Sequence, residues 1–412
     1  MEIRPILSTL LRNKTGPLLV AIQVAVSLAI LANALHIVQV RQAVVARPSG
    51  IAHEQSVFQM VVRNMASNEH NMQMATQKEQ AAIVRAVPGV QSVASTGMVP
   101  LSRNGHTRTV AAGRGRDAAT QDAAFYVSGD SLVTTWELNL VEGRDFLPAE
   151  IVEVDYRVSR ELSKAVIVTR ALAEKIWPGE STFVGKPLLF GTGDSADEMR
   201  VVGVVERLQT ASAELAPGSE YAIISPARVS RGASFSFLTV RTEPGQRDRV
   251  MKEAEQAIRD GASWRTLIRM ATMEEHRKDR YRADVALVWM LIAVSALLLM
   301  VTASGIVGMS SLWVQQRSKQ IGVRRALGAR RIDILRYFLT ENIMITTCGV
   351  AVGVLLAIGL NQLLVNELEM ERLPLGYLLA GAGVLIVLGI AAAYGPAWRA
   401  ASISPALATR SA

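Results

Sequence analysis

The chain has 412 residues, a formal net charge of +8 and one cysteine, and 50% of it is hydrophobic against 19% charged. That charged share lies below the roughly 25% of soluble domains, and the mean hydropathy is +0.24. Together these exclude a disordered chain, a disulfide framework and a cysteine-based zinc site, and leave a membrane protein with a large water-facing part.

Residues 1–16 read as a short cytoplasmic amphipathic helix. Ile3, Ile6, Leu7, Leu10 and Leu11 share one helical face, flanked by Arg4, Arg12 and Lys14, which suits the membrane interface. A first apolar span follows at 17–40. Its Ala32-Asn33-Ala34 has the form of a signal-peptide cleavage site, but the apolar run continues to Val38, which favours an uncleaved anchor. Three further stretches reach the ~20 residues needed to cross a bilayer: 284–312, 341–366 and 375–396.

Positive charge sorts these spans. Residues 1–16, the connection 313–340 and the tail 397–412 hold 12 Lys and Arg against two acids, whereas the short connection 366–374 carries Glu367, Glu369 and Glu371 against Arg372. Basic short loops stay in the cytoplasm. Both termini and 313–340 are therefore expected inside, and 41–283 outside as the periplasmic domain of an inner-membrane, multi-pass protein. That segment is nearly neutral, with 31 Lys and Arg and 29 Asp and Glu. The net charge is thus a matter of topology, and no nucleic acid is expected.

The fold class expected is an α-helical membrane protein with four transmembrane helices plus an α/β extracytoplasmic domain. Segments 41–60 and 272–284 read as helical stalks. Val57–Arg63, Gln77–Ala86 and Val90–Val99 suggest a β-α-β run, and Phe235–Arg241, Gln246–Asp260 and Trp264–Met270 suggest a matching one. The two halves form a split βαβ membrane-proximal subdomain. A β-rich insertion at about 104–233 separates them, with strands expected at Phe125–Ser128, Ala165–Thr169, Leu188–Phe190, Arg200–Val205 and Tyr221–Ile224.

Chemistry-bearing motifs are missing from the sequence. There is no G-x-x-x-x-G-K-[ST] phosphate loop and no G-x-S-x-G elbow. His36, His53, His70, His106 and His276 are scattered, so no metal and no cofactor is expected, and Cys348 reads as a packing residue within a span. The polar span residues Gln23, Ser27, Asn33, His36, Thr302 and Ser304 form no single stripe. Interhelical hydrogen bonds explain them better than a solute path. Gly349, Gly353 and Ala357 line one helical face, and Gly389, Ala393 and Ala397 another. Such faces permit close helix packing, within one chain or between two.

The basic connection between spans two and three is amphipathic and interrupted once. Ile321, Leu327, Ile332, Leu335 and Phe338 are its apolar members, and Gly328 is expected to end one short helix before a second enters span three. A loop that only held topology or bound lipid head groups would need the charge and not this order. The run Arg317-x-x-x-Ile321-Gly322-Val323-Arg324-Arg325-Ala326-Leu327-Gly328-Ala329-Arg330-Arg331-x-Asp333-Ile334 and the tail Pro396-Ala397-Trp398-Arg399-Ala400-Ala401-x-Ile403-x-Pro405 resemble the FtsX-like permeases of ABC transporters, in their MacB-like branch. Val127-Ser128, Gly143-Arg144-Asp145-Phe146, Val168–Ala173 and Val201–Val205 are similar to that family's outer domain.

The resemblance implies a permease subunit of an export or efflux system that works by mechanotransmission. A cytoplasmic ABC ATPase dimer would bind and hydrolyse ATP as a separate polypeptide, so the chain itself is expected to be no enzyme. It would pair with a second permease chain, as a homo- or heterodimer, within membrane lipid. It would also meet a periplasmic adaptor of the membrane-fusion type, and through it an outer-membrane channel. ATPase coupling is carried over to Arg317, Ile321, Gly322, Arg324, Arg325, Leu327, Gly328, Arg330, Arg331 and Asp333. Lipoprotein extraction or control of cell-wall hydrolases would suit the same fold. A membrane-anchored ligand sensor is the alternative from another class, although sensors usually have two spans and an output domain.

Overall fold

The computed structural model describes residues 14–64, 69–115, 118, 120–159, 163–191, 196–213, 217–230, 235–261, 266–368 and 372–402. The chain divides into an α/β unit, Val45–Ala283, and a helical unit, Met1–Val44 with Asp284–Ala412. Most of the amphipathic helix expected at 1–16 lies outside the described residues, as does the tail beyond Ser402.

The α/β unit begins with a four-stranded antiparallel sheet. Strand β1 (Val57–Asn64), helix α2 (His70–Arg85) and strand β2 (Val90–Ser95) form its first half. Strand β11 (Phe235–Thr242), helix α5 (Arg247–Gly261) and strand β12 (Thr266–Thr272) form its second. The order β12-β1-β11-β2 interleaves the halves, with Met60 opposite Leu238 and Met270. This is a β-α-β-β-α-β arrangement with an insertion at its midpoint. Alternation along β1 places Phe58, Met60 and Val62 on the face covered by the helices. There they join Ala81 and Val84 of α2 and Val250, Ala254 and Ile258 of α5 in one core.

The insertion holds β3 (Thr107–Ala111), β4 (Thr120–Ser128), α3 (Leu132–Trp136), β5 (Leu140–Gly143), β6 (Val152–Asp155), β7 (Ala165–Thr169), α4 (Arg170–Ile176), β8 (Pro187–Phe190), β9 (Asp197–Val205) and β10 (Ala222–Ser230). The strand path β4-β3-β8-β9-β7-β10 closes on itself, because β10 pairs with β4 as well as β7. Closure removes edge strands that would otherwise present unpaired backbone. Five of these strands fall where β-branched runs suggested them. β3, β5 and β6 were not foreseen; they are short and alternate with polar, exposed positions.

A third core joins the sheet to the insertion. Val57 and Ala94 from the sheet meet Tyr126, Leu132, Trp136, Ile167 and Val205 from the insertion. Trp136 is fully buried, donates its Nε1–H to Thr239 Oγ1 at 2.9 Å, and meets the Tyr126 ring edge-on at 5.6 Å. The Tyr126 hydroxyl donates to the Gln209 carbonyl at 2.5 Å, and burial pushes its pKa well above the usual tyrosine value. Trp136→Phe should lower the stability of the purified protein by about 1–2 kcal/mol, because it leaves Thr239 without its partner and a small void. A denaturation series read by fluorescence checks this, and an unchanged midpoint refutes it.

The segment expected as a first stalk is not helical beyond Val45, where α1 (Thr15–Val45) ends. Pro48 follows, and Gly50 turns in the left-handed region at φ +97°, so close to the Arg207 carbonyl that a side chain has no room. Arg277 holds this stretch, donating to the carbonyls of Val45 and Arg47 at 3.0 Å and pairing with Glu54 at 2.6 Å. The second charged segment is helical: α6 (Met273–Gln316) runs without interruption from the end of β12 through the second span.

In the helical unit, α1, α6, α8 (Arg331–Leu368) and α9 (Leu375–Ser402) are each long and apolar enough to cross a membrane. Helix α1 is the most enclosed. Some 56% of its apolar window is buried, against 11% for α6, 28% for α8 and 22% for α9. Its polar side chains explain part of this. Gln23 donates to the Val301 carbonyl at 3.0 Å, Ser27 meets Thr302 at 2.8 Å, and Asn33 donates to the Ala357 carbonyl at 3.2 Å. Near the end of α1, Gln39 accepts from the Tyr377 hydroxyl.

Candidate coupling site

The connection between α6 and α8 contains α7 (Ser318–Ala326). Gly328 ends it in the left-handed region at φ +99°, with its N–H donating to the Arg325 carbonyl at 3.1 Å. Helix α8 then starts with Asp333 accepting from the Arg330 backbone N–H at 3.0 Å. An acid in the first turn satisfies an orphan donor and opposes the helix dipole.

One face of this element is anchored. Ile321, at 4% exposure, and the buried Gly322 turn inward; Ile321 packs with Val314, Ile334, Leu335, Phe338, Ala397, Ala400 and Ala401. Ile321, one of the residues assigned to ATPase coupling, thus belongs to the chain's own core, together with Leu335 and Phe338 of the same apolar pattern. The alanines of the tail motif are small because α7 lies against them, and Arg325 donates to the Ala401 carbonyl at 3.3 Å. Arg317 directs Nη1 at both carboxylate oxygens of Glu341, 2.9 Å from each, and Glu341 is only 1% exposed. Sequence reasoning missed Glu341. An acid at the entrance of an apolar span was the available signal, since such a charge is costly unless paired.

The other face is open. Leu327 is 84% exposed and Val323 52%. Arg324, Arg330, Arg331 and Asp333 surround them on the surface, with the Arg324 guanidinium 5.2 Å from the centre of the Tyr337 ring. The ten residues singled out from sequence therefore split. Arg317, Ile321, Gly322 and Arg325 hold the element in place, whereas Arg324, Leu327, Arg330, Arg331 and Asp333 form an exposed basic surface with an apolar tip, and Gly328 shapes the turn between them.

The small-residue faces close within the chain. A Cβ on Gly349 would stand 2.7 Å from the Ala21 carbonyl oxygen, and one on Gly353 2.9 Å from that of Ala25. Ala357 is fully buried on the same face, where its carbonyl takes the Asn33 amide. Gly389 accepts from Asn342 at 2.8 Å and abuts Thr346, and Ala393 is buried with Val24, Leu28 and Ile345. Gly305, where a Cβ would crowd the Gln23 amide, and Gly381, where one would stand 2.8 Å from Leu28, play similar parts and were not singled out from sequence. Among the described residues no group of three His, Cys, Asp or Glu converges as a metal site.

Residues 22–257 match the family model of the MacB-like periplasmic core domain, and residues 292–405 that of the FtsX-like permease C-terminal region. The chain is 27% identical over 287 residues to a macrolide export ATP-binding/permease protein MacB of Nitrosomonas europaea, covering 68% of this chain and 41% of that one. It is 29% identical over 304 residues to a pyoverdine export ATP-binding/permease protein PvdT of Pseudomonas savastanoi pv. phaseolicola, covering 70% and 43%. The chain thus spans about two fifths of the length of these relatives. Among solved structures, the extracellular domain of the noncanonic ABC-type transporter YknZ from Gram-positive bacteria aligns with 52% of this chain and 100% of its own, at 16% identity and a TM-score of 0.32. The two family matches take in the closed-strand insertion, most of the split sheet and most of the helical unit with α7, and the chain belongs to the MacB-like, FtsX-like family of ABC transporter permeases.

Proposed function

We propose that this protein is the permease subunit of an ABC-type export system, and that it conveys the motion of a separate ATPase dimer to its periplasmic-type domain. The observation that carries the reading is the two-sided coupling element. Its inner face is welded to the helical unit through the Arg317–Glu341 pair and the Ile321 core, while its outer face presents Leu327 among arginines. An exposed apolar tip within a basic rim suits a groove of mixed apolar and acidic character on a partner. The same pattern on a loop that merely faced water or lipid head groups would leave Leu327 unexplained.

In this reading the basic loops place both termini and residues 313–340 in the cytoplasm and 41–283 outside. The protein works with a second permease chain, a periplasmic adaptor and surrounding lipid, and substrate need not pass between its spans. The polar span residues support that last point, because Gln23, Ser27, Asn33 and Thr302 are taken up by contacts between helices. In this reading nucleotide is bound by the ATPase, and these residues carry no phosphate loop of their own.

Purification of the tagged chain from its host in mild detergent should retain a P-loop ATPase. Leu327→Asp, or Gly328→Pro, should reduce ATPase retention at least about tenfold and abolish export, since a buried charge or a broken turn removes more than about 1.4 kcal/mol of docking energy. Membrane insertion should be unchanged, because Leu327 touches little else in the chain. Normal export by either variant at normal abundance refutes the assignment.

A further inference from the structure

A cavity of about 230 Å³ lies at the seam between the split sheet and the insertion, within the α/β unit. Its walls come from elements far apart in sequence: α2 supplies Gln77, the end of β2 leads to Gly97, β4 supplies Phe125, β10 supplies Arg228 and β11 supplies Phe237. Phe235 and Phe237 stack with ring centres 6.0 Å apart at its edge. One wall is therefore aromatic and the other polar.

Arg228 is the unusual member. It is 7% exposed, and its Nη2 contacts Asp130 at 3.2 Å and the Gly129 carbonyl at 3.3 Å. Its Nη1 is buried and has no hydrogen-bond partner in the protein. Asp130 is shared with a second guanidinium, that of Arg85, at 3.8 Å. Two cations thus meet one carboxylate, which leaves an excess positive charge beside a space with one aromatic and one polar wall. Buried donors without partners are costly, and natural proteins rarely keep them without a reason.

The geometry points to this seam cavity as a binding site for a small amphipathic anion, an aromatic or short acyl body carrying one carboxylate. The carboxylate would accept from Arg228, and the body would lie against Phe125, Phe235 and Phe237. An apolar cavity of about 150 Å³ takes one benzene, so this one suits a body of about two fused rings. The site is independent of the proposed ATPase coupling, and its occupancy can be read without ATP.

The test uses the full chain in lipid nanodiscs and equilibrium dialysis at neutral pH, with empty nanodiscs as background. The probes are 1-naphthoate and its uncharged counterpart, 1-naphthylmethanol. The wild type should bind the carboxylate at least about tenfold more tightly than the alcohol, as a charge-assisted contact requires. Arg228→Gln should erase that preference. Because Arg228→Gln also disturbs the Asp130 pair and can impair folding, Gly97→Trp provides a second variant. Gly97 has an ordinary backbone conformation, and a Cβ there would meet only Phe237, at 3.9 Å. A side chain can therefore start there without strain, and an indole at the mouth should cut 1-naphthoate binding at least about tenfold at unchanged Tm. Equal binding of acid and alcohol by the wild type, or undiminished binding by Gly97→Trp, overturns the proposal.

Discussion

Gly353→Leu should prevent the helical unit from assembling, while Gly359→Leu, less than two turns further along the same helix, should leave it intact. The contrast follows from what each side chain would meet. A Cβ at Gly353 stands 2.9 Å from the Ala25 carbonyl oxygen and 3.0 Å from its Cα, whereas one at Gly359 has nothing within 4 Å. The obstacle at Gly353 is the backbone of α1, which cannot turn aside as a flexible side chain can. Overpacking costs about 1–3 kcal/mol where neighbours adjust, and more where they cannot. Helices in a bilayer have little hydrophobic drive to compensate, since packing itself holds them together. The separation of α1 from α8 would also cost the Asn33 amide its bond to the Ala357 carbonyl and leave it the one to Ala29 within its own helix. Yield and Tm of the two variants in nanodiscs decide the matter, and equal behaviour refutes the packing assignment of this face.

Glu341→Met should destabilise the protein by about 3–5 kcal/mol, the usual cost of leaving one partner of a buried ion pair alone. Arg317, with its side chain 16% exposed, would keep its charge and lose the carboxylate it pairs with. The double variant Arg317→Met/Glu341→Met should recover most of that loss, because apolar side chains of similar size satisfy the same space. Recovery of stability should not bring recovery of coupling. The pair ties the start of α7 to α8, and without it the outer face bearing Leu327 loses its fixed orientation. Thermal unfolding and ATPase stimulation, measured on the same nanodisc preparations, separate the two roles. A double variant as unstable as the single one contradicts this account.

The sequence conveyed most where one physical force acts along a continuous stretch. Four apolar runs and two helix-turn patterns are visible because burial in lipid and helical periodicity both write themselves locally. The turn at Gly328 was legible for the same reason. What was hidden depends on partners distant in the chain. Glu341 reads as an isolated acid until Arg317, 24 residues earlier, is beside it. Gly305 and Gly381 look ordinary until Gln23 and Leu28 occupy the space above them. Ile321, Leu335 and Phe338 show an apolar face, but periodicity does not say whether that face meets a partner or the chain itself. Strands β3, β5 and β6 escaped notice because each is only four or five residues long and sets one or two apolar side chains among polar ones, too short a run to show a period. The split sheet could be inferred from two similar halves, whereas the closure of the insertion rests on β10 pairing with β4, a parallel contact about a hundred residues apart that no local pattern announces.

The enclosure of α1 has a consequence for biogenesis. The helix that the others surround is made before them, and its neighbours emerge only after the whole α/β unit. At about 5–20 residues per second, the roughly 240 intervening residues take on the order of 12–50 s to synthesise. During that interval Gln23, Ser27 and Asn33 face acyl chains in place of Val301, Thr302 and Ala357. A nascent chain that stalls before α6 is complete therefore displays unsatisfied polar groups in the bilayer, a ready mark for insertion chaperones and membrane proteases.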